Sequence, residues 1–192
     1  MSDTRERIVT ATTELFRGRG FNGTSLKQVI ESAQAPTGSI YHFFPGGKEE
    51  LGEAVIRESG AAYQQLFELV ADEATDVAEA IRELFDGAAD ALEETDYIDI
   101  CPIGNVAREV ASTHEPLRQA TVDVFAGWTT AISKRLRAAG FSPGDANAIA
   151  NTVISAIEGA LMLARARRST TDLRATGVHI QHLVADSLSR GT

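Results

Sequence analysis

Thr37, Gly38 and Ser39 stand together in the run APTGSIYHFFPGGKEEL, and Tyr41, His42 and Lys48 follow within nine residues. Hydroxyls, a phenol and an imidazole are hydrogen-bonding groups that suit phosphate oxygens and the edges of bases. A glycine leaves room for a backbone to come close, and a lysine adds a cation. The same stretch holds Ile40, Phe43 and Phe44 at i, i+3 and i+4, which gives a short helix an apolar face opposite Tyr41 and His42. Pro36 suits the entry of that helix, and Pro45-Gly46-Gly47 ends it after about seven residues, roughly 10 Å of axis. Small polar residues at the tip of such a helix can enter a groove about 12 Å wide. Gly46-Gly47-Lys48 raises a second chemistry, a phosphate-binding loop. The pattern G-x-x-x-x-G-K-[ST] needs glycine at 42 and a hydroxyl at 49, where this chain has His42 and Glu49, so that loop is excluded.

The elements that must position these groups are helical throughout. Ile8, Ala11, Leu15 and Phe16 share one face of a first helix over residues 4–19, ended by Gly18 and Gly20. Ser25 and Gln28 form an S-x-x-Q capping box for a second helix of about eight residues, which buries Leu26, Val29, Ile30 and Ala33 and stops before Pro36. Two short helices joined by a tight turn match a helix-turn-helix. Helix N-termini add amide donors, so Thr24, Ser25 and Lys48 suit phosphates on either side of the groove. Lys48 opens a fourth helix carrying Leu51, Val55, Leu66 and Leu69. Beyond it the 3.6-residue period predicts helices over 76–94, 103–111, 115–139, 145–168 and 172–189. The fold class expected is all-α: an N-terminal three-helix helix-turn-helix domain over 1–47, then a second helical domain over 48–192.

Charge supports this division. Residues 1–48 hold six basic and four acidic side chains, a net +2, whereas the remainder holds 12 and 23, a net −11, which together give the −9 of the chain. Only the first quarter would tolerate an anionic polymer. One cysteine, Cys101, excludes an internal disulfide and fits a reducing compartment. No run of about 18 uninterrupted apolar residues marks a membrane span and no signal peptide is visible, so a cytoplasmic protein is expected. No triad order or paired acid and base suggests an enzyme, and no cofactor is implied. His179 and His182 lack companions with metal-ligand spacing.

The segment TATTELFRGRGFNGTSLKQVIESAQAPTGSIYHFFPGGKEELGEAVI resembles the DNA-binding domain of the TetR family of bacterial transcriptional repressors, with ELFRGRGFNGTS and GSIYHFFPGGKEEL the most diagnostic pieces. The second half, with CPIGN, one tryptophan in a long helix and EGALMLARARRS, is similar to the YxaF/LmrA-like branch of that family. The resemblance implies contacts to phosphates or bases from Thr24, Ser25, Lys27, Thr37, Gly38, Ser39, Tyr41, His42 and Lys48. Position 37, a threonine here, is Lys or Arg in many relatives.

In the second half Phe85, Cys101, Phe125, Trp128 and Met162 recur on apolar stripes, with Asn105, Arg108, Thr121 and Glu158 within or beside them. Such stripes ordinarily face a core, but apolar walls with a few polar groups also make a ligand pocket. The resemblance implies a pocket for a small, apolar or aromatic effector, with Phe85, Cys101, Asn105, Phe125, Trp128, Glu158 and Met162 as its candidate residues. Ala156, Gly159, Ala160 and Leu163 give a small-residue face that permits close helix approach. The resemblance makes the last two helices, with these residues and Leu183, a homodimer interface. A two-fold dimer sets two reading helices about 34–36 Å apart on a pseudo-palindromic operator. The alternative is a small-molecule binding protein whose DNA-binding half is vestigial.

Overall fold

The computed structural model describes residues 3–98 and 101–190, which contain helices and turns and no strand. The helices are α1 (Asp3–Arg19), α2 (Leu26–Ala33), α3 (Ser39–Phe43), α4 (Lys48–Glu73), α5 (Val77–Glu94), α6 (Pro102–Val110), α7 (Glu115–Ala138), α8 (Pro143–Arg167) and α9 (Thr171–Arg190). The chain divides into two compact units: residues 1–61 with 99–124, and residues 62–98 with 125–192. Helices α4 and α7 each run through both. The first unit therefore draws in α6 and the start of α7, which a boundary after residue 47 assigns to the second domain.

In the first unit α1 buries Ile8, Val9, Ala11 and Phe16, and α2 adds Val29 and Ala33. The Ser25 capping box is complete: its hydroxyl accepts from Gln28 N while the Gln28 side chain accepts from Ser25 N at 2.8 Å. Ile40 and Phe44 close this core from α3 and its end, and Leu51, Val55 and Ile56 close it from α4. Gly52 lets α4 come close, since a methyl there would meet Leu117 at 3.0 Å and Phe21 at 3.1 Å.

In the second unit α9 packs on α5 and α8. Gly177 of α9 leaves no room for a Cβ, which would lie 2.6 Å from Cβ of Phe85 on α5. Asp76 caps α5 by accepting from Glu79 N, and Ser142 caps α8 by accepting from Asp145 N, with Pro143 in its first turn. Arg174 reaches Asp90 at 2.6 Å and Glu93 at 3.4 Å. Such part-exposed pairs fix the register of α9 on α5 more than they stabilise it.

Helix α4 departs from its expected face beyond the first unit. Leu66 and Leu69 are more than half exposed while Phe67 is buried, because over these turns the inward stripe passes through residue 67.

Candidate nucleic-acid interface

The third helix is shorter than the sequence suggests. Ser39 N donates to Pro36 O at 2.9 Å, which puts Pro36, Thr37 and Gly38 in a turn ahead of the helix, and α3 keeps only Ser39 to Phe43. The turn presents Thr37 and Gly38 at the surface, with Ser39 partly covered. Tyr41 is 63% exposed and His42 is exposed, its ring edge-on to Phe43 at 4.7 Å. Phe43 is half-buried, so Ile40 and Phe44 alone anchor the element in the core.

Gly38 deserves comparison with its neighbours. Gly47 has φ +68, a conformation that glycine adopts without a Cβ penalty. Gly38 has φ −78 and ψ −12, open to any residue, and a Cβ there would meet nothing within 4 Å. Neither the backbone nor the packing of this chain requires a glycine at the tip of the turn.

The expected contacts divide. Thr37, Gly38, Ser39, Tyr41 and His42 form one exposed tip. Lys27 is exposed on α2, with Glu31 3.8 Å away. Ser25 is exposed, though its hydroxyl is engaged in its own capping box. Thr24 is different: it is buried and its hydroxyl donates to Gly20 O at 2.8 Å. It fastens the turn and offers no face to a phosphate. Lys48 lies with its ammonium over the Phe21 ring, 4.2 Å from the centroid. Burial pushes its pKa below the usual lysine value, against an opposing pull from Glu109.

The expected effector residues are divided between the two units. Cys101 and Asn105 belong to the first unit, and Phe85, Phe125, Trp128, Glu158 and Met162 to the second. Cys101 is the N-cap of α6, its Sγ accepting from Gly104 N at 3.4 Å. Asn105 is engaged elsewhere, donating to Phe16 O at 2.9 Å. Phe85 has no exposed surface and fills the contact of α5 with Gly177. Met162 is half exposed on α8 beside Leu163, on the outer face that also holds Gly159. Glu158 is half-buried. Phe125 and Trp128 do come together, edge to face at 5.5 Å, and Tyr63 of α4 meets the tryptophan edge to face at 6.2 Å. Sequence periodicity missed Tyr63 because its partner lies 65 positions away.

Of the expected dimer residues, Ala160 is buried within its own unit. Ala156 and Gly159 are half-covered, Leu163 and Leu183 are nearly half exposed, and Val178 joins them on α9. A Cβ at Gly159 would meet nothing within 4 Å. The most apolar 18-residue window of α8 has a mean hydropathy of 1.3 and is only 28% buried. By length and composition alone such a helix could cross a membrane; here it packs on α9 and leaves an apolar face uncovered.

Comparison with known proteins matches the chain in two regions. Residues 8–55 match the family described as bacterial regulatory proteins, tetR family, and residues 77–179 match the C-terminal domain of transcriptional regulators described as LmrA/YxaF-like. The chain is 35% identical over 182 residues to the transcriptional regulator YxaF of Bacillus subtilis, covering 95% of each chain. It is 33% identical over 188 residues to LmrA of the same organism, covering 98% of each. Among solved structures, a TetR transcriptional regulator from Legionella pneumophila superposes with a TM-score of 0.82 at 23% identity, over 97% of this chain and 98% of that one. Reduced NemR from E. coli superposes at 0.80 with 24% identity, over 94% and 96%.

Proposed function

Because this chain belongs to the TetR family of bacterial transcriptional regulators, with a C-terminal domain of the LmrA/YxaF-like type, we propose that it is a homodimeric repressor. In this reading it occupies a pseudo-palindromic operator and leaves it when a small apolar or aromatic molecule binds its second unit. Members of this class are regulators and not enzymes.

The observation that carries the DNA half of the reading is the tip formed by Thr37, Gly38 and Ser39. It pairs two hydroxyls with a glycine that the free protein does not need. A DNA backbone or base edge packed against residue 38 supplies the missing reason. Thr37 and Ser39 then read base edges, while Tyr41, His42 and Lys27 meet phosphates. Lys48, held over Phe21, meets the backbone at the mouth of the groove. The dimer half rests on α8, whose outer face of Ala156, Gly159, Met162 and Leu163 is apolar, small at its centre and only partly covered. The effector half rests on the half-buried trio of Tyr63, Phe125 and Trp128, a surface suited to a flat apolar ligand.

Selection from a pool of randomised duplexes tests the function directly. The purified protein should enrich a two-fold symmetric sequence with half-site centres about one helical turn apart. Binding to that duplex should weaken with salt at a log–log slope near −5, about −0.9 for each of six phosphates. Failure to enrich any sequence, with a flat salt response, would instead favour a small-molecule binding protein with an idle DNA-binding half.

A further inference from the structure

Two side chains of α6, one turn apart, grip the far end of α1 and the turn that leads into α2. Asn105 donates its Nδ2 to Phe16 O at 2.9 Å and to Arg17 O at 3.4 Å, both carbonyls of the last turn of α1. Its own Oδ1 accepts from Arg108 at 3.0 Å, which fixes the orientation of the amide. Four residues on, Glu109 Oε2 accepts from the backbone N of Asn22 at 2.7 Å. Its other oxygen fills the space beside Gly20, where a methyl would land on the carboxylate. Gly20 has φ +71 and its carbonyl receives the buried Thr24 hydroxyl. Thr24 in turn precedes Ser25, the cap of α2.

The chemistry of this grip is specific. The final carbonyls of a helix have no partners within the helix itself, although Phe16 O also accepts from Gly20 N at 3.0 Å, and the amides of the turn beyond must find acceptors elsewhere. Asn105 offers a donor to the former and Glu109 an acceptor to the latter, so the two residues are matched to the two ends of one turn. Glu109 also pulls electrostatically on Lys48, whose ammonium covers Phe21, the residue next to Asn22. A carboxylate close to a DNA-facing lysine opposes phosphate binding through its charge. Its presence is accounted for by the geometry that it holds.

We propose that Asn105 and Glu109 are positioning residues for DNA recognition: they set the attitude of the α1–α2 turn, and with it the alignment of the reading tip in the groove. This inference rests on the DNA-binding function above.

The test uses the full-length protein, a duplex enriched by the wild type, and a mixed-sequence duplex of equal length. A positioning role affects the ratio of the two affinities, because unspecific phosphate attraction tolerates misalignment and base contacts do not. Glu109→Ala removes the acceptor and the charge; Glu109→Gln removes the charge and keeps an acceptor. Glu109→Ala should lower the selected-to-mixed ratio by about 10-fold, the scale of one lost charge-assisted hydrogen bond, and Asn105→Ala by about 5-fold, the scale of one lost neutral hydrogen bond. Affinity for the mixed duplex should hold or rise slightly for Glu109→Ala, and Glu109→Gln should restore most of the ratio. The proposal is overturned if Glu109→Ala keeps the wild-type ratio. It is also overturned if both affinities fall together with thermal stability, which marks a purely structural contact, or if Glu109→Gln behaves as Glu109→Ala does. A wild type that enriches no duplex refutes the DNA-binding function itself, a distinct result.

Discussion

Replacing Gly159 by leucine separates a dimer contact from a core contact, because the free subunit and the dimer predict opposite signs. In the isolated chain a Cβ at residue 159 meets nothing within 4 Å. A glycine inside α8 is about 1 kcal/mol less favourable than a good helix former. Gly159→Leu should therefore raise the stability of the subunit by up to about 1 kcal/mol. If the outer face of α8 packs against a second copy, the same leucine overpacks a close helix contact at about 1–3 kcal/mol. Two-fold symmetry places the substitution at the interface twice, for a total of about 2–6 kcal/mol. At 1.4 kcal/mol per decade, the dimer dissociation constant should rise between about 30-fold and 10⁴-fold. Sedimentation equilibrium reads this directly, and thermal unfolding at subunit concentrations below dissociation reads the opposite change. Two controls bracket the result. Ala160 is buried in its own unit, so Ala160→Leu should lower subunit stability. Gly87 lies exposed on α5 with equally open surroundings, and Gly87→Leu should stabilise without altering association. A Gly159→Leu protein that dimerises like the wild type would refute the placement of the partner on α8.

Further tests bear on the tip, the trio and one ion pair. Gly38→Ala should leave thermal stability unchanged, since a methyl there meets nothing, yet weaken binding to the selected duplex about 10-fold through a clash of about 1–3 kcal/mol; unchanged affinity would remove DNA from residue 38. Lys48→Gln should weaken selected and mixed duplexes alike and make the salt slope shallower by about 0.9 for each phosphate lost, as filter binding across salt concentrations will show. Trp128 is the only tryptophan, so an aromatic effector should change its emission saturably over the concentration range that releases DNA, and duplex DNA should weaken that effector by the same factor that the effector weakens DNA; release without a change in emission would put the site elsewhere. Asp123 is held below the usual aspartate value by hydrogen bonds from Gln119 and Arg57. A depressed folded pKa contributes stability that is present above the unfolded value of about 3.9 and lost as pH falls through the folded one. Thermal melting of the wild type should therefore decline more steeply below about pH 4 than that of Asp123→Asn; parallel curves would show that the ion pair is screened.

What the sequence revealed about this molecule follows the span of its interactions. The capping box of Ser25 and Gln28 needs only partners three residues apart, and α2 began where the pattern placed it. The core face of α1, where Ile8, Ala11 and Phe16 are buried, was legible for the same reason, since a helix repeats its inward stripe within each turn. Short range also explains an error. The period through Ile40, Phe43 and Phe44 was compatible with a longer α3, and nothing in the pattern registered that Pro36 O accepts from Ser39 N and turns the first three residues out of the helix. Residues whose partners lie far along the chain were unreadable. Asn105 looked like a polar residue beside an apolar stripe, yet its amide serves carbonyls 88 and 89 positions earlier. Glu109 gave no signal at all.

Glycine and threonine show why residue type alone could not assign the interface. Thr24, Thr37 and Ser39 offer similar hydroxyls, and all three lie at or just before a helix start. Only the fold distinguishes them: the Thr24 hydroxyl is buried on Gly20 O, while Thr37 remains exposed at the tip. The same holds for Gly60 and Gly159, both inside long helices. A methyl at Gly60 would strike Val124 at 2.5 Å, so that glycine is required by the chain's own packing, whereas Gly159 faces open space. A helix retains such a glycine against its own propensity by about 1 kcal/mol. On α8 it stands amid exposed Met162 and Leu163 on a helix that is largely unburied. We propose a second copy of this chain as the partner of this face: self-association would align the same small residue from both subunits and let the two backbones approach where a side chain would hold them apart.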